Sequence, residues 1–141
     1  MVVNDTILGS VENIIKAAGK YVTLNISGDA LTTIPGNAFN NYKTLVGITM
    51  PNNVTKIGYQ AFSGCENLTR VIIPSSVTRI GDETFDFVTN VTFQGSTISE
   101  FFGQQAFGHN GDLRDKYLAG GKGTYIITGR NEYAGPVWTK Q

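Results

Sequence analysis

The sequence repeats itself with a period of about 23 residues, and this period constrains the fold more than any other feature. Four copies of a first motif, apolar-x-x-apolar-x-apolar, begin at Tyr21, Leu45, Leu68 and Val88. Three copies of a second motif, two apolar residues followed by a pair ending in phenylalanine, end at Phe39, Phe62 and Phe85. Two motifs that share one period predict a stack of structurally equivalent turns, three to four repeats long.

Each motif has a direct physical interpretation. The last two apolar residues of the first motif alternate, which predicts a short strand with both side chains turned inward. Pro51 and Pro74 follow two of these strands and predict their ends. The second motif predicts a return segment that bends at Gly58 and Gly81. The repeated phenylalanines are expected to stack from turn to turn, so the sequence predicts a mostly β solenoid with a short parallel sheet on its concave face.

A repeat of this length cannot bury its apolar residues alone and needs a neighbour or a cap on each side. At the N-terminus, Ser10 predicts the start of a capping helix over residues 10–20, with Gly19 as its stop.

The C-terminal cap is predicted to contain a helix and a strand. The helix starts at Gly111 or Asp112 and stops at Gly120 and Gly121, and the strand covers residues 124–128. An Ala106-Phe107 pair precedes them, and Tyr133 and Trp138 are expected to cover the end of the core. The expected organisation is one domain over residues 1–141, with repeats in 21–95 and a degenerate repeat and cap in 96–141.

Composition excludes several functional classes. Eleven basic and eleven acidic residues are scattered along the chain, so no basic patch predicts nucleic-acid binding. A single cysteine allows neither an internal disulfide nor a cysteine-based zinc site. The first residues lack the basic and apolar regions of a signal peptide, and no apolar run is long enough to span a membrane.

The string A-F-S-G-C-E-N-L-T-R-V-I-I-P-S-S-V-T-R-I-G resembles the BspA-like, or treponemal-type, class of bacterial leucine-rich repeats. The later string G-D-L-R-D-K-Y-L-A-G-G-K-G-T-Y resembles the terminal segment of spirochaete members of that class. Together the resemblance covers residues 10–141, although D-F-V-T-N replaces the expected G-C-x-N-L in the last repeat. It implies a protein at the cell surface, secreted or periplasmic, that adheres to host matrix proteins or to other bacteria.

The candidate binding residues lie between the inward-facing positions of the predicted strands, where side chains would point to solvent. We call this set the strand face, and it consists of Thr23, Asn25, Ser27, Gly47, Thr49, Arg70, Ile72, Asn90, Thr92 and Gln94. Arg70 beside an exposed Ile72 stands out near the centre of this face and is the candidate binding anchor. An ordinary solvated sheet face explains the same pattern and remains open.

The residues that could take part in catalysis, metal binding or phosphate binding each have a structural explanation in this sequence. Cys65 is expected to be a packed thiol, and His109, the only histidine, is expected in a loop with no second histidine to share a metal. Asp112 and Asp115 fall in the first turn of a predicted helix, where they would stabilise its dipole. The A-G-G-K-G-T run lacks the Ser or Thr that should follow Lys122 in a phosphate loop. No cofactor or metal is predicted.

These features favour one functional class over two others. The leading hypothesis is a non-enzymatic protein-binding module, which uses its concave face for adhesion to extracellular matrix or other proteins. The alternative is a structural or self-associating repeat protein of the cell envelope, which would form homo-oligomers. A hydrolase is disfavoured because the sequence shows neither a Ser, His and Asp arrangement nor a set of metal ligands that could catalyse hydrolysis.

Overall fold

The computed structural model describes residues 19–96, 101–108, 111–133 and 135–141. The predicted capping helix over residues 10–20 lies outside these ranges except for its last two positions, and His109 lies outside them as well. The described elements are β1 (Val22–Asn25), β2 (Thr33–Ile34), β3 (Leu45–Thr49), β4 (Lys56–Ile57), β5 (Arg70–Ile73), β6 (Arg79–Ile80), β7 (Asn90–Phe93), β8 (Phe101–Phe102), α1 (Leu113–Gly120), β9 (Gly123–Asn131) and β10 (Gly135–Lys140).

Strands of two lengths alternate along the repeats and confirm the predicted solenoid. Strands of four or five residues come from the first motif, and strands of two residues come from the second. The short strands β2, β4, β6 and β8 pair in parallel and in sequence order. Their paired inward positions are Ile34, Ile57, Ile80 and Phe102, all of them buried.

The long strands pair in parallel along the repeats, but they form two sheets where the sequence predicted one. One sheet pairs β1 with β3, and the other has the order β10-β9-β7-β5. No ladder joins β3 to β5, although every residue between them is described. The register between β1 and β3 shifts at Val46, which has no partner opposite it. Because such a bulge bends its strand and increases its twist, we attribute the interruption to Val46.

A column of stacked phenylalanine rings forms the centre of the core, as the period predicted. The ring centroids of Phe39 and Phe62 are 5.1 Å apart, as are those of Phe62 and Phe85. Phe107 extends the column with a centroid 5.0 Å from that of Phe85. Offset or tilted aromatic pairs at such distances contribute about 0.5–1.5 kcal/mol beyond their buried area, so the column ties each turn to the next.

Gly58 and Gly81 have a different role from the tight bend that was expected. Neither adopts a positive φ. Instead, a Cβ atom on Gly81 would lie 2.5 Å from the backbone nitrogen of Tyr59 and 2.7 Å from the carbonyl carbon of Gly58. The glycines are therefore needed because the backbones of successive turns approach too closely for a side chain.

The C-terminal cap contains the predicted helix, α1, which buries Leu113 and Tyr117 against the last turn. The predicted strand over 124–128 is part of the longer β9, which pairs antiparallel with β7. β10 was not predicted, and it pairs antiparallel with β9. Trp138 in β10 covers the core as expected, with its ring centroid 6.1 Å from that of Phe107. Tyr133 was predicted wrongly, since it is 90% exposed.

Candidate protein-binding surface

The pairing of the long strands places the strand-face residues in register across each sheet. Thr23 lies beside Gly47 and Asn25 beside Thr49 in the first sheet. In the second sheet, Arg70 lies beside Asn90 and Ile72 beside Thr92. The burial pattern alternates along these strands, with the residues between them turned into the core. Alternation of this kind produces one buried and one solvent-facing row of side chains.

The structure divides this surface between its two sheets. Thr23, Asn25, Gly47 and Thr49 belong to the β1-β3 sheet. Arg70, Ile72, Asn90 and Thr92 belong to the sheet of β5 and β7. Ser27 and Gln94 lie just beyond the carboxyl ends of β1 and β7, and the backbone N–H of Gln94 donates to the carbonyl oxygen of Ile73.

A cleft of about 210 Å³ lies where the two sheets meet. It is lined by Ile48, Thr49, Met50, Asn52, Ile72, Pro74 and Gln94. Three strand-face residues, Thr49, Ile72 and Gln94, are therefore brought together here. The side chain of Ile72 is 48% exposed, while Ile48 and Met50 are buried beneath it. The cleft combines an accessible apolar residue with polar side chains, and its volume is below the range of about 300–1,000 Å³ that small-molecule pockets occupy.

Two residues of this surface were missed from the sequence. Thr124 and Ile126 in β9 lie in register with Thr92 and Asn90 and extend the same face. The hydroxyl oxygens of Thr92 and Thr124 are 2.9 Å apart and share a hydrogen bond. The strand itself was predicted, but an alternating pattern does not reveal which strand becomes its neighbour.

Cys65 is placed as the predicted packed thiol. Its side chain is 1% exposed, and its Sγ donates a hydrogen bond of 3.0 Å to the carbonyl oxygen of Phe39. Removal of the thiol from water raises the pKa of Cys65 to about 12. The reactive thiolate form is therefore suppressed at neutral pH.

The other candidates for chemistry are also structural. Oδ1 of Asp112 accepts the backbone N–H of Trp138 and makes no capping hydrogen bond to α1. The dipole role expected for Asp112 is thus supplemented by a tertiary contact. Asp115 is exposed and lies 3.5 Å from Arg114. The backbone N–H of Lys122 donates to the hydroxyl of Ser96, and within the described ranges no three His, Cys, Asp or Glu side chains are grouped as metal ligands.

A solenoid of short parallel strands with a 23-residue period and a stacked aromatic core defines a leucine-rich repeat domain. The chain belongs to the BspA type leucine rich repeat family, whose profile matches residues 16–121 with six copies. Members are typically secreted or at the surface, and domains of this kind are generally non-catalytic protein-interaction modules. In the described part of the chain, no helix has the length and apolar character needed to cross a membrane.

A similar solved structure is the 1.19 Å crystal structure of a leucine-rich repeat protein from Bacteroides ovatus ATCC 8483. The two share 17% sequence identity and superpose with a TM-score of 0.51 over 68% of this chain. This chain spans only 33% of the length of that protein. The likeness at this identity concerns the fold alone. No curated protein matched the sequence.

Proposed function

We propose that this domain binds a protein partner through its strand face and serves in adhesion at a bacterial surface, as a secreted or surface-attached protein. The observation that carries the proposal is the cleft between the two sheets, where the half-exposed Ile72 meets polar strand-face residues. Arg70 is exposed two residues earlier on the same strand. Arginine is one of the residue types enriched among those that dominate binding energy.

The proposal assigns no catalysis to the domain. The thiol of Cys65 is buried and held protonated, so it is not available as a nucleophile. The carboxylates of Asp112 and Asp115 have different partners and do not form a pair. The strand-face residues act by binding a partner on a solvent-facing sheet, and the proposal requires no cofactor or metal.

The alternative, self-association within the cell envelope, is disfavoured along strand β10. The exposed edge of a sheet promotes pairing with another chain when its backbone donors are free. In β10, the N–H of Trp138 is bonded to Asp112, and Pro136 has no N–H to offer. Light scattering over a range of concentrations tests this point, since a mass that rises with concentration would favour the alternative.

The proposed function is tested by a screen of the purified chain against immobilised extracellular matrix proteins. The Arg70→Ala/Ile72→Ala variant should lose saturable binding, because it removes the charged and the apolar anchor of the strand face together. The matched control is Arg130→Ala/Tyr133→Ala, which likewise removes one exposed cation and one large exposed side chain but lies at the tip of the β9-β10 hairpin. Equal binding by both variants would exclude the strand face as the adhesive surface.

A further inference from the structure

A second surface lies on the side of the short strands, separate from the strand face. It is a groove of about 550 Å³ between the last turns of the solenoid and the helix α1. We call it the cap groove, and its lining residues include Tyr59, Asp82, Glu83, Phe101, Arg114 and Leu118. Its volume falls within the range of about 300–1,000 Å³ that ligand-binding pockets occupy.

The cap groove contains large apolar side chains that are open to solvent. The side chains of Tyr59, Phe101 and Leu118 are each about half exposed, at 51%, 49% and 50%. They come from a loop after β4, from β8 and from α1, so the three are close only in the folded chain. Large apolar side chains gathered at one depression, with polar groups around them, mark interaction sites.

Two carboxylates complete the groove, and neither forms an ion pair with any residue of the described ranges. Oε2 of Glu83 accepts hydrogen bonds from Nε2 of Gln60 at 2.6 Å and from the Tyr59 hydroxyl at 3.4 Å. Oδ1 of Asp82 accepts the backbone N–H of Gln105 at 3.2 Å. Both carboxylates are therefore held in place by neutral donors and keep their charge uncompensated.

Among the described residues of the lining, Arg114 is the one cation, and it is directed elsewhere. Nε of Arg114 donates to the carbonyl oxygen of Phe102 at 2.9 Å, and Nη1 lies 3.5 Å from Asp115 on the outer side of the helix. The negative charges of Glu83 and Asp82 act on the groove, since they add to desolvation in raising the pKa of the Tyr59 hydroxyl. The cap groove is thus acidic between aromatic walls.

We propose that the cap groove binds an arginine side chain presented by an apolar segment of a protein partner. A guanidinium group can stack on the exposed faces of Tyr59 and Phe101 and donate hydrogen bonds to the carboxylate of Glu83. The flanking apolar residues of the segment then pack on Leu118. An acidic or phosphorylated segment would meet the uncompensated charges of Asp82 and Glu83 and is excluded by repulsion.

The two sides of the domain therefore recognise different chemistry. The strand face offers a cation beside an apolar residue, whereas the cap groove offers anions beside aromatic rings. Because the two surfaces share no lining residue, one chain can bind two partners, or two segments of one partner, at the same time. Linked contacts of this kind increase the overall affinity without new contacts at either site.

The experiment is an NMR titration of the isotopically labelled full chain with acetyl-Leu-Arg-Leu-amide. The control peptide contains citrulline in place of arginine, which keeps the shape and removes the charge. We expect saturable shifts at the amides of Gly103, Gln104 and Gln105 with the arginine peptide and weak or no shifts with the citrulline peptide. The arginine-dependent shifts should weaken between about 0.05 M and about 0.5 M salt, since screening reduces a charge contact.

The variants separate recognition from folding. Glu83→Gln should lower the affinity for the arginine peptide on the order of fivefold, because it removes a charge-assisted hydrogen bond. Gln60 occupies the same place in the preceding turn with the same φ of +53°, so the backbone accepts this substitution. Tyr59→Ala should also weaken binding, and Gly36 at the equivalent place shows that a small residue fits there. Glu66→Gln, in the Lys43 ion pair and outside the lining of the cap groove, is the matched control and should change nothing.

Three results would overturn the proposal. One is equal affinity for the arginine and citrulline peptides, and another is unchanged affinity in the Glu83→Gln variant. The third is the absence of saturable shifts at the groove up to about 10 mM peptide. The binding free energy would then be weaker than roughly 2.7 kcal/mol, the value that corresponds to a Kd of about 10 mM. Loss of matrix binding in the strand-face variant has no bearing on these outcomes, since the two surfaces are tested by different probes.

Discussion

The side-chain carboxylate of Asp112 accepts the backbone N–H of Trp138, with Oδ1 2.9 Å from the nitrogen. This bond ties the start of α1 to the middle of β10. At the other end of the helix, Nζ of Lys140 donates to the carbonyl oxygen of Gly120 at 2.7 Å. Helix and hairpin are thus fastened at two points, and together they cover Phe107 at the end of the aromatic column.

Replacement of Asp112 should loosen this cap. Asp112→Ala leaves the N–H of Trp138 without its acceptor, and we expect a loss of about 1–2 kcal/mol in the free energy of unfolding. The control is Asp115→Ala, whose side chain is 82% exposed and lies 3.5 Å from its neighbour Arg114. Chemical denaturation of both variants measures the difference. Equal stability of the two would show that the bond to Trp138 contributes nothing.

The close approach of successive turns gives a second prediction. Gly81→Ala places a Cβ atom 2.5 Å from the backbone nitrogen of Tyr59, and the two turns must separate to accept it. Forced overpacking of this kind costs about 1–3 kcal/mol. Gly129→Ala, where no atom lies within 4 Å of the added Cβ, should change stability by less than about 0.5 kcal/mol. The midpoints of urea denaturation should rank the two variants in that order.

The aromatic column gives a third prediction. Phe62 is 1% exposed and stacks on a ring on either side, so Phe62→Ala should destabilise the domain by about 3–5 kcal/mol. Phe87→Ala removes the same side chain from a position that is 44% exposed, and its cost should be less than about 1 kcal/mol. Thermal unfolding followed by circular dichroism compares the two. A similar loss in both variants would mean that the column does not carry the stability.

The repeating part of the fold could be predicted from the sequence because spacing and packing coincide there. A phenylalanine every 23 residues has one simple explanation, which is that equivalent turns stack, and the rings of Phe39, Phe62 and Phe85 do so. The outward-facing residues of a strand could be predicted as well, since alternation along the strand determines which side chains face solvent. Arg70 and Ile72 were placed on a common face in this way.

The features that were missed depend on contacts between elements. The break between β3 and β5 and the unpaired Val46 are both features of backbone pairing, and no pattern in the sequence distinguishes a bulge from a regular position. β10 was not recognised because its six residues contain a glycine and a proline, which are unfavourable in most strands. The cap groove is assembled from three turns and a helix, so Tyr59 and Leu118 carry no common motif.

The buried thiol of Cys65 gives a prediction for alkaline pH. Its pKa is raised from an ordinary value of 9.0 to about 12 in the folded chain. Below pH 9 both the folded and the unfolded chain hold the thiol proton, so its contribution to stability is fully present. Between pH 9 and 12 the unfolded chain loses this proton and the folded chain keeps it, and the free energy of unfolding falls as the pH rises. The fall reaches at most about 1.4 kcal/mol per pH unit for one group.

The Cys65→Val variant isolates this contribution, because Val88 follows Phe85 at the same interval at which Cys65 follows Phe62 and is buried there as well. Denaturation curves measured from about pH 8 to about pH 11 should diverge, with the stability of the native sequence falling more steeply. The hydroxyls of Tyr59 and Tyr125, whose pKa values are also raised, titrate in both proteins and cancel in the comparison. Parallel curves across this range would mean that Cys65 ionises in the folded chain as readily as in the unfolded one, and would contradict its burial beneath the Phe39 carbonyl.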